Sequence, residues 1–125
     1  MSVLLETSLG DVVIDLFTDE APMACFNFIQ LCQMKFYNSS LFHGVQKDYI
    51  AESGRSYLNK GDHTIWSLLG QDKKYFSDEI SRRKFRSKGI VATGNTGPNL
   101  NNSTFFMTLT DEPLDSFYKK HTIFG

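Results

Sequence analysis

Alternating apolar and polar residues at the start of the chain predict a pair of β-strands. Residues 3–7 form an apolar-rich run, and within residues 11–17 the apolar side chains of Val12, Ile14 and Leu16 occupy every second position. An alternation of period two places these side chains on one face of a strand. Because turn-forming residues separate the two runs, we predict an antiparallel hairpin with one buried face.

A helical period replaces this alternation from Pro22 onward. The residues Cys25, Phe28, Ile29 and Cys32 are spaced i, i+3, i+4 and i+7, as on one face of an amphipathic helix. Proline suits the first turn of a helix, so we predict a helix of about 14 residues that starts near Pro22. The two cysteines would lie about 10 Å apart along it, too far for a disulfide, and are expected to be core thiols.

The remainder of the chain contains short β-prone runs joined by turn-rich connections at residues 53–88 and 93–103. One helix combined with many short strands is typical of a β-barrel or sandwich in which a helix closes one end. The 125 residues are 41% hydrophobic, which is enough for the core of a single domain over residues 1–125. The β-prone runs are 41–45, 49–52, 89–92, 105–109 and 122–124.

Charge and composition exclude several classes of protein. The formal net charge of −1 does not indicate a polyanion-binding molecule as a whole, and no apolar run approaches the ~18 residues of a membrane span. The N-terminus has neither a basic leader nor a small-residue cleavage site, which predicts a cytosolic or nuclear location. No C-x-x-C or H-E-x-x-H pattern occurs, so we expect no metal site.

Residues 82–88, called the basic segment below, carry five positive charges in seven positions. The simplest interpretation is a solvated loop. The alternatives are a nuclear-import signal or a contact with an RNA or ribonucleoprotein partner, in which Phe85 would stack on a base. The charged residues are Arg82, Arg83, Lys84, Arg86 and Lys88.

Four segments, in order, match the pattern of one known family. Residues 7–28 match its first hairpin and helix, and residues 42–54 match its F-H-R-V…G-F-M-x-Q-G-G stretch. The most specific match is Gly94-Asn95-Thr96-Gly97-Pro98-Asn99 with Asn102-Ser103-Thr104-Phe105-Phe106-Met107, which resembles A-N-x-G-P-N…G-S-Q-F-F-I. Residues 121–125 match H-x-V-F-G. Together the four segments resemble the cyclophilin family of peptidyl-prolyl cis-trans isomerases. The first 16 residues are most similar to the nuclear cyclophilin-like protein 4 branch, in which an RNA-recognition domain follows the isomerase domain.

The resemblance implies a cyclophilin-like β-barrel with a capping helix. It also implies that a cyclophilin domain continues beyond the H-x-V-F-G motif with a second helix and a last strand. We therefore expect either a barrel without these two elements or a fragment of a longer protein.

The resemblance further implies a groove for X-Pro peptides, without a cofactor, and weak binding of cyclosporin. Tyr49 and Ile50 take the places of the family's Phe-Met pair, and Phe117 takes that of a leucine. Asn95 would offer its backbone to the substrate. The expected substrate-binding residues are Tyr49, Ile50, Gly94, Asn95, Phe106, Phe117 and His121.

The polar half of the family's site is degenerate. Gly44 stands in the place of the catalytic arginine, or alternatively marks a β-bulge. Glu52 replaces a glutamine, Thr104 a second glutamine, and Ser116 falls where many members have tryptophan. His43 is expected to be a partly buried ring that the backbone satisfies. We therefore expect isomerase activity to be weak or lost, and the alternative is a non-catalytic proline-peptide or protein-binding module in nuclear RNA processing.

Overall fold

The structure, a computed structural model, describes residues 1–55 and 61–125. Within these ranges the chain is mostly β, as predicted, with strands in two sheets and few helices. The elements are β1 Ser2–Thr7, β2 Gly10–Asp15, α1 Pro22–Gln33, β3 Gly44–Gln46, β4 Ile50–Ser53, α2 Ile65–Leu68, β5 Val91–Asn95, β6 Asn101–Thr108 and a 3₁₀ turn at Asp115–Phe117.

The predicted N-terminal hairpin is confirmed. Strands β1 and β2 pair antiparallel from Ser2 opposite Asp15 to Thr7 opposite Gly10. Ile14 is buried, whereas Val13 beside it is exposed, as the period of two requires. Gly10 has φ of +133°, a conformation that the tight turn needs and that residues with a side chain rarely adopt.

Helix α1 packs across the interior as predicted, with Cys25 and Phe28 buried. Both cysteines are free, and burial raises the pKa of each thiol to about 11. Ala21, at the N-cap, has no polar side chain that could accept hydrogen bonds from the first N–H groups of the helix. Glu79 does so instead, because its carboxylate accepts hydrogen bonds from the backbone N–H groups of Met23 and Ala24 at 3.0 and 2.8 Å.

The second sheet has four antiparallel strands in the order β3-β4-β6-β5. The β-prone runs predicted from the sequence all contribute, although residues 122–124 supply only a bridge between Ile123 and Ala92. The described residues therefore form two sheets, and a closed barrel is not among the features that they show. Among these residues, no helix is long and apolar enough to cross a membrane.

The two predicted connections contain more regular structure than their composition indicates. Residues 53–88 include α2, whose N-cap Thr64 accepts a hydrogen bond from the backbone N–H of Ser67. Strands β5 and β6 extend into 93–103, because the buried side chain of Asn101 donates to the backbone oxygen of Phe76 and to Asp78. Polar residues can occupy these strands when their side chains are hydrogen-bonded.

Three buried clusters occupy the interior of the described residues. The first contains Phe28, Phe105 and Phe124 together with Ile14 from the hairpin. A small one joins Leu31, Phe36 and Ile65. The third lies on the opposite side of β6, and it supports the site described next. Its buried members are Ile50, Phe85, Ala92, Phe106 and Ile123.

Candidate functional site

A pocket of about 320 Å³ opens over β4, β6 and the 3₁₀ turn, and we call it the central pocket. The structure brings together all seven residues predicted to bind substrate, and Glu52 lies with them. Gly44 is not in the lining but pairs with Glu52, which is. The lining residues are His43, Gln46, Tyr49, Ile50, Glu52, Arg55, Asp62, Gly94, Asn95, Thr96, Asn102, Thr104, Phe105, Phe106, Phe117 and His121.

Four aromatic rings form the apolar half of the pocket, and we call them the ring cluster: Tyr49, Phe106, Phe117 and His121. The centroid of Phe106 lies 5.4 Å from that of Phe117 and 5.0 Å from that of His121, in edge-to-face geometry. Tyr49 reaches Phe117 at 5.8 Å. These are favourable separations for aromatic pairs, so each ring is held by its neighbours. Phe106 is only 3% exposed and forms the floor.

His121 has a defined protonation state. Its Nδ1 lies 2.9 Å from the backbone oxygen of Thr93, and a carbonyl only accepts, so Nδ1 carries the hydrogen. Burial lowers the pKa of His121, although the hydrogen bond to Thr93 opposes this effect. The ring is therefore neutral near pH 7, with Nε2 left as an acceptor.

We call the other side of the pocket the polar rim: His43, Glu52 and Thr104, which line it, together with Gly44, which pairs with Glu52 without lining the pocket. Gly44 on β3 lies directly opposite Glu52 on β4 in regular register, so the bulge interpretation of Gly44 is wrong. A Cβ placed on Gly44 would lie 3.6 Å from the Cβ of Glu52, an ordinary contact. The backbone at residue 44 could therefore carry a side chain. Glycine has none, so no side-chain donor is present at this position.

The prediction that the backbone satisfies the ring of His43 is also wrong. Its Nε2 lies 3.6 Å from Oε2 of Glu52, so its ring faces a carboxylate rather than the backbone. The Glu52 side chain is 45% exposed. A carboxylate accepts hydrogen bonds and cannot donate them, so the place of the family's glutamine now offers only an acceptor.

Gly94 and Thr104 are a matched pair of departures from the family pattern. A Cβ on Gly94 would overlap Oγ1 of Thr104 on the neighbouring strand. That hydroxyl is fixed, because it donates to Oδ1 of Asn102 at 2.7 Å. Glycine at 94 is therefore required by threonine at 104.

Asn95 holds the segment that carries His121 against the pocket. Its Nδ2 donates to the backbone oxygen of Lys120 at 2.6 Å and to Oδ1 of Asn101 at 3.3 Å. The β5–β6 register shifts between Thr93 and Asn95, and Asn95 lines the pocket.

Several polar lining residues were not among the predicted site residues, including Gln46, Arg55, Asp62, Thr96 and Asn102. Asp62 accepts hydrogen bonds from the hydroxyl of Tyr75 and from Nδ2 of Asn102. It belongs to the long connection, where no periodic pattern indicates its position. The described residues include no group of three or more His, Cys, Asp or Glu side chains that could hold a metal ion.

The basic segment lies outside the central pocket. Arg83 pairs with Glu20 at 2.6 Å and covers the ring of Phe17 at 3.7 Å, and Arg86 lies 3.6 Å from Asp115. Lys84 approaches the ring of Tyr118 at 5.5 Å. The charged side chains Arg82 and Lys88 are exposed and make no ion pair with any described residue.

The prediction that Phe85 is available for stacking on a base is wrong. Phe85 is 1% exposed, stacks on Phe106 at 5.9 Å and meets the edge of Phe117 at 5.6 Å. The only apolar side chain in the basic segment turns inward, because burial of a phenyl ring is favourable and its charged neighbours stay in water.

The chain resembles known proteins over its whole length. The peptidyl-prolyl cis-trans isomerase CYP59 of Arabidopsis thaliana is 47% identical over the full chain, and peptidyl-prolyl cis-trans isomerase-like 4 of Homo sapiens is 44% identical. The spliceosome-associated protein CWC27 homolog of Danio rerio is 40% identical over 98% of the chain. The chain spans about a quarter of the length of these relatives, 25%, 26% and 25% respectively.

Solved structures show the same fold. The crystal structure of a Cryptosporidium parvum cyclophilin type peptidyl-prolyl cis-trans isomerase, determined in the presence of the dipeptide Ala-Pro, superposes with a TM-score of 0.88 at 31% identity. The match covers all of this chain and 77% of that one. The model of the family described as cyclophilin type peptidyl-prolyl cis-trans isomerase/CLD matches residues 2–125. The chain therefore belongs to the cyclophilin-type peptidyl-prolyl cis-trans isomerase family and has its mostly-β fold.

Proposed function

We propose that this chain is a cyclophilin-type domain that binds X-Pro peptides in the central pocket with weakened or lost catalysis. One observation carries the proposal: an intact ring cluster lies beside a polar rim in which Gly44 and Glu52 face each other. The proposed substrate-binding residues are Tyr49, Ile50, Gly94, Asn95, Phe106, Phe117 and His121.

The chemistry of proline isomerisation explains why loss of the polar rim affects catalysis while the ring cluster alone can bind proline. The X–Pro amide resists rotation with a barrier of about 18–20 kcal/mol because of its resonance. A catalyst lowers the barrier by donating hydrogen bonds to the twisted amide, which requires a fixed donor close to it. Gly44 supplies no side-chain donor, and the carboxylate of Glu52 repels a substrate carbonyl. Apolar contacts with the proline ring need neither group.

The alternative within this proposal is a purely non-catalytic proline-peptide or protein-binding module in nuclear RNA processing. Support comes from a spliceosome-associated relative and from the relationship to isomerase-like 4. A nuclear location is proposed on the same grounds. Weak binding of cyclosporin, the other expected ligand, would use the same ring cluster.

An RNA contact through the basic segment is a second candidate. Arg82, Lys84 and Lys88 are exposed, and none of them pairs with a carboxylate in the described residues. Phosphate contacts of this kind depend strongly on salt. Reversal of charge at Arg82 and Lys84 should weaken RNA binding, and an unchanged affinity would leave the basic segment as a solvated loop.

The primary proposal is tested by titrating a short neutral peptide, acetyl-Ala-Ala-Pro-Ala-amide, and then cyclosporin, while chemical shifts are followed. We expect shifts at Tyr49, Phe106 and His121, and none at Val13, which is exposed on the N-terminal hairpin and does not line the pocket. If the ring cluster does not respond to either ligand, the groove is vestigial and the proposal fails.

A further inference from the structure

Glu52 is an accessible carboxylate at the edge of an apolar pocket. Its side chain is 45% exposed, and its one ion-pair partner in the described residues is the imidazole of His43 at 3.6 Å. It lines the same pocket as Phe106 and Tyr49. A ligand that enters the pocket therefore meets a negative charge that the fold has not already neutralised with a lysine or arginine.

No side chain from the facing position on β3 covers this carboxylate. Gly44 is the cross-strand neighbour of Glu52, and even its Cβ position is only at contact distance, 3.6 Å, from Oε2 of Glu52. Side chains directly opposite on paired strands normally cover each other. Because residue 44 has no side chain, a group belonging to a ligand can occupy this place and reach the carboxylate.

The rest of the pocket lining strengthens the preference for a donor. Asp62 is a second carboxylate, and Nε2 of His121 is an acceptor. Arg55 also lines the pocket, but it makes no ion pair with a described carboxylate. Glu52 and Asp62 thus place two carboxylates in the lining against the one guanidinium of Arg55, which complements a cationic group on the ligand.

We propose that Glu52 determines specificity, and that the central pocket takes X-Pro peptides carrying an arginine whose guanidinium fills the space beside Gly44 and pairs with Glu52. This inference rests on the proposed binding of proline in the pocket. Arginine suits the place better than lysine because its planar fork can engage both oxygens of a carboxylate.

The test compares arginine with citrulline, which has the same shape without the charge. Four peptide pairs place either residue one or two positions before or after the proline, and Kd is measured from the shifts of Tyr49, Phe106 and His121. We expect arginine to bind about fivefold more tightly than citrulline at one position at least, as for a partly exposed charged pair. The ratio should shrink in about 1 M salt, where charges are screened.

Variants then test whether the preference for arginine depends on the carboxylate of Glu52. In Glu52→Gln the arginine-to-citrulline ratio should fall to about one, whereas Glu112→Gln, an exposed carboxylate outside the pocket, should keep it. A ratio near one at all four positions in the unmodified chain overturns the inference while leaving the proposed function in place. A ratio that survives Glu52→Gln, or that disappears only in Asp62→Asn, also overturns it. If neither peptide of any pair moves the ring cluster, the proposed function itself fails, and the inference fails with it.

Discussion

The ring cluster and the polar rim lie in one pocket but are held in place by different means. Phe106 touches the rings of Phe85, Phe117 and His121, so each ring is a structural part of the core beneath it. Glu52, by contrast, lies partly exposed beside the imidazole of His43, and Gly44 has no side chain that could pack. The rings of the apolar half cannot change without cost to the fold, whereas Gly44 and Glu52 contribute little to the packing of the domain.

The largest effect should come from breaking the ring cluster. Phe106→Ala leaves a cavity under three rings, and we expect it to lower the free energy of unfolding by about 3–5 kcal/mol. The matched control is Val13→Ala, at a position that is 63% exposed and should change stability little. Both are compared by urea unfolding. A stability loss in Phe106→Ala no greater than that of the control would show that the ring cluster is not part of the core.

The next effect should come from repairing the polar rim. The double change Gly44→Arg with Glu52→Gln places a hydrogen-bond donor at residue 44, where a Cβ makes only ordinary contacts. We expect kcat/KM for a Pro peptide to rise about 10²-fold. Gly44→Arg alone should gain less, because the guanidinium would pair with Glu52.

The control for this gain is Gly44→Ala with Glu52→Gln, which adds a side chain but no donor. Activity is measured as catalysed cis–trans exchange of the peptide. Equal rates for the arginine and alanine versions would mean that the missing arginine is not what limits catalysis here.

A smaller effect tests whether the polar rim is itself packed. Gly94→Ala should cost about 1–3 kcal/mol of stability, because the added methyl overlaps Oγ1 of Thr104. Adding Thr104→Ala removes that oxygen and should recover most of the loss in thermal unfolding. If the single variant is as stable as the unmodified chain, the two positions are independent.

The smallest effect concerns pH and His121. Burial lowers the pKa of this ring below its ordinary value of 6.5, while Asp78 and Glu52 oppose the shift and Lys120 adds to it. The unfolded chain therefore takes up the proton first as pH falls, so the contribution of the neutral ring to stability is complete above about pH 6.5 and declines below it.

In His121→Asn the amide can still donate to Thr93, but it does not titrate. The stability of the unmodified chain relative to this variant should therefore decrease as pH is lowered from 8 to 5, measured by urea unfolding at each pH. Parallel stability curves for the two proteins would contradict the assigned pKa shift.

Much of the apolar half could be predicted from the sequence. Phe106 lies in a strand-like run with a specific motif around it, and His121 begins another motif, so their places in the fold follow from family resemblance. The hairpin and α1 follow from periodicity alone, because one face of each is buried. Sequence patterns predict an element when its buried positions recur at the period of a strand or helix.

Periodicity does not predict the contacts made by the connection at residues 53–88. Glu79 caps α1 from 55 residues away, and Asp62 reaches the central pocket, but neither contact leaves a periodic trace in the sequence. The five charged residues around Phe85 predict an exposed ring, whereas the ring contacts those of Phe106 and Phe117 in the interior. That Gly44 faces Glu52 depends on strand register, which the residues alone did not fix.

The most direct test of the account is to measure binding and exchange of one neutral Pro peptide by NMR in the same sample. We predict that the peptide shifts Tyr49, Phe106 and His121 at saturating concentration while its cis–trans exchange stays close to the uncatalysed rate. Rapid exchange that Phe106→Ala abolishes would contradict the central claim, because it would show that this pocket catalyses without the arginine that Gly44 replaces.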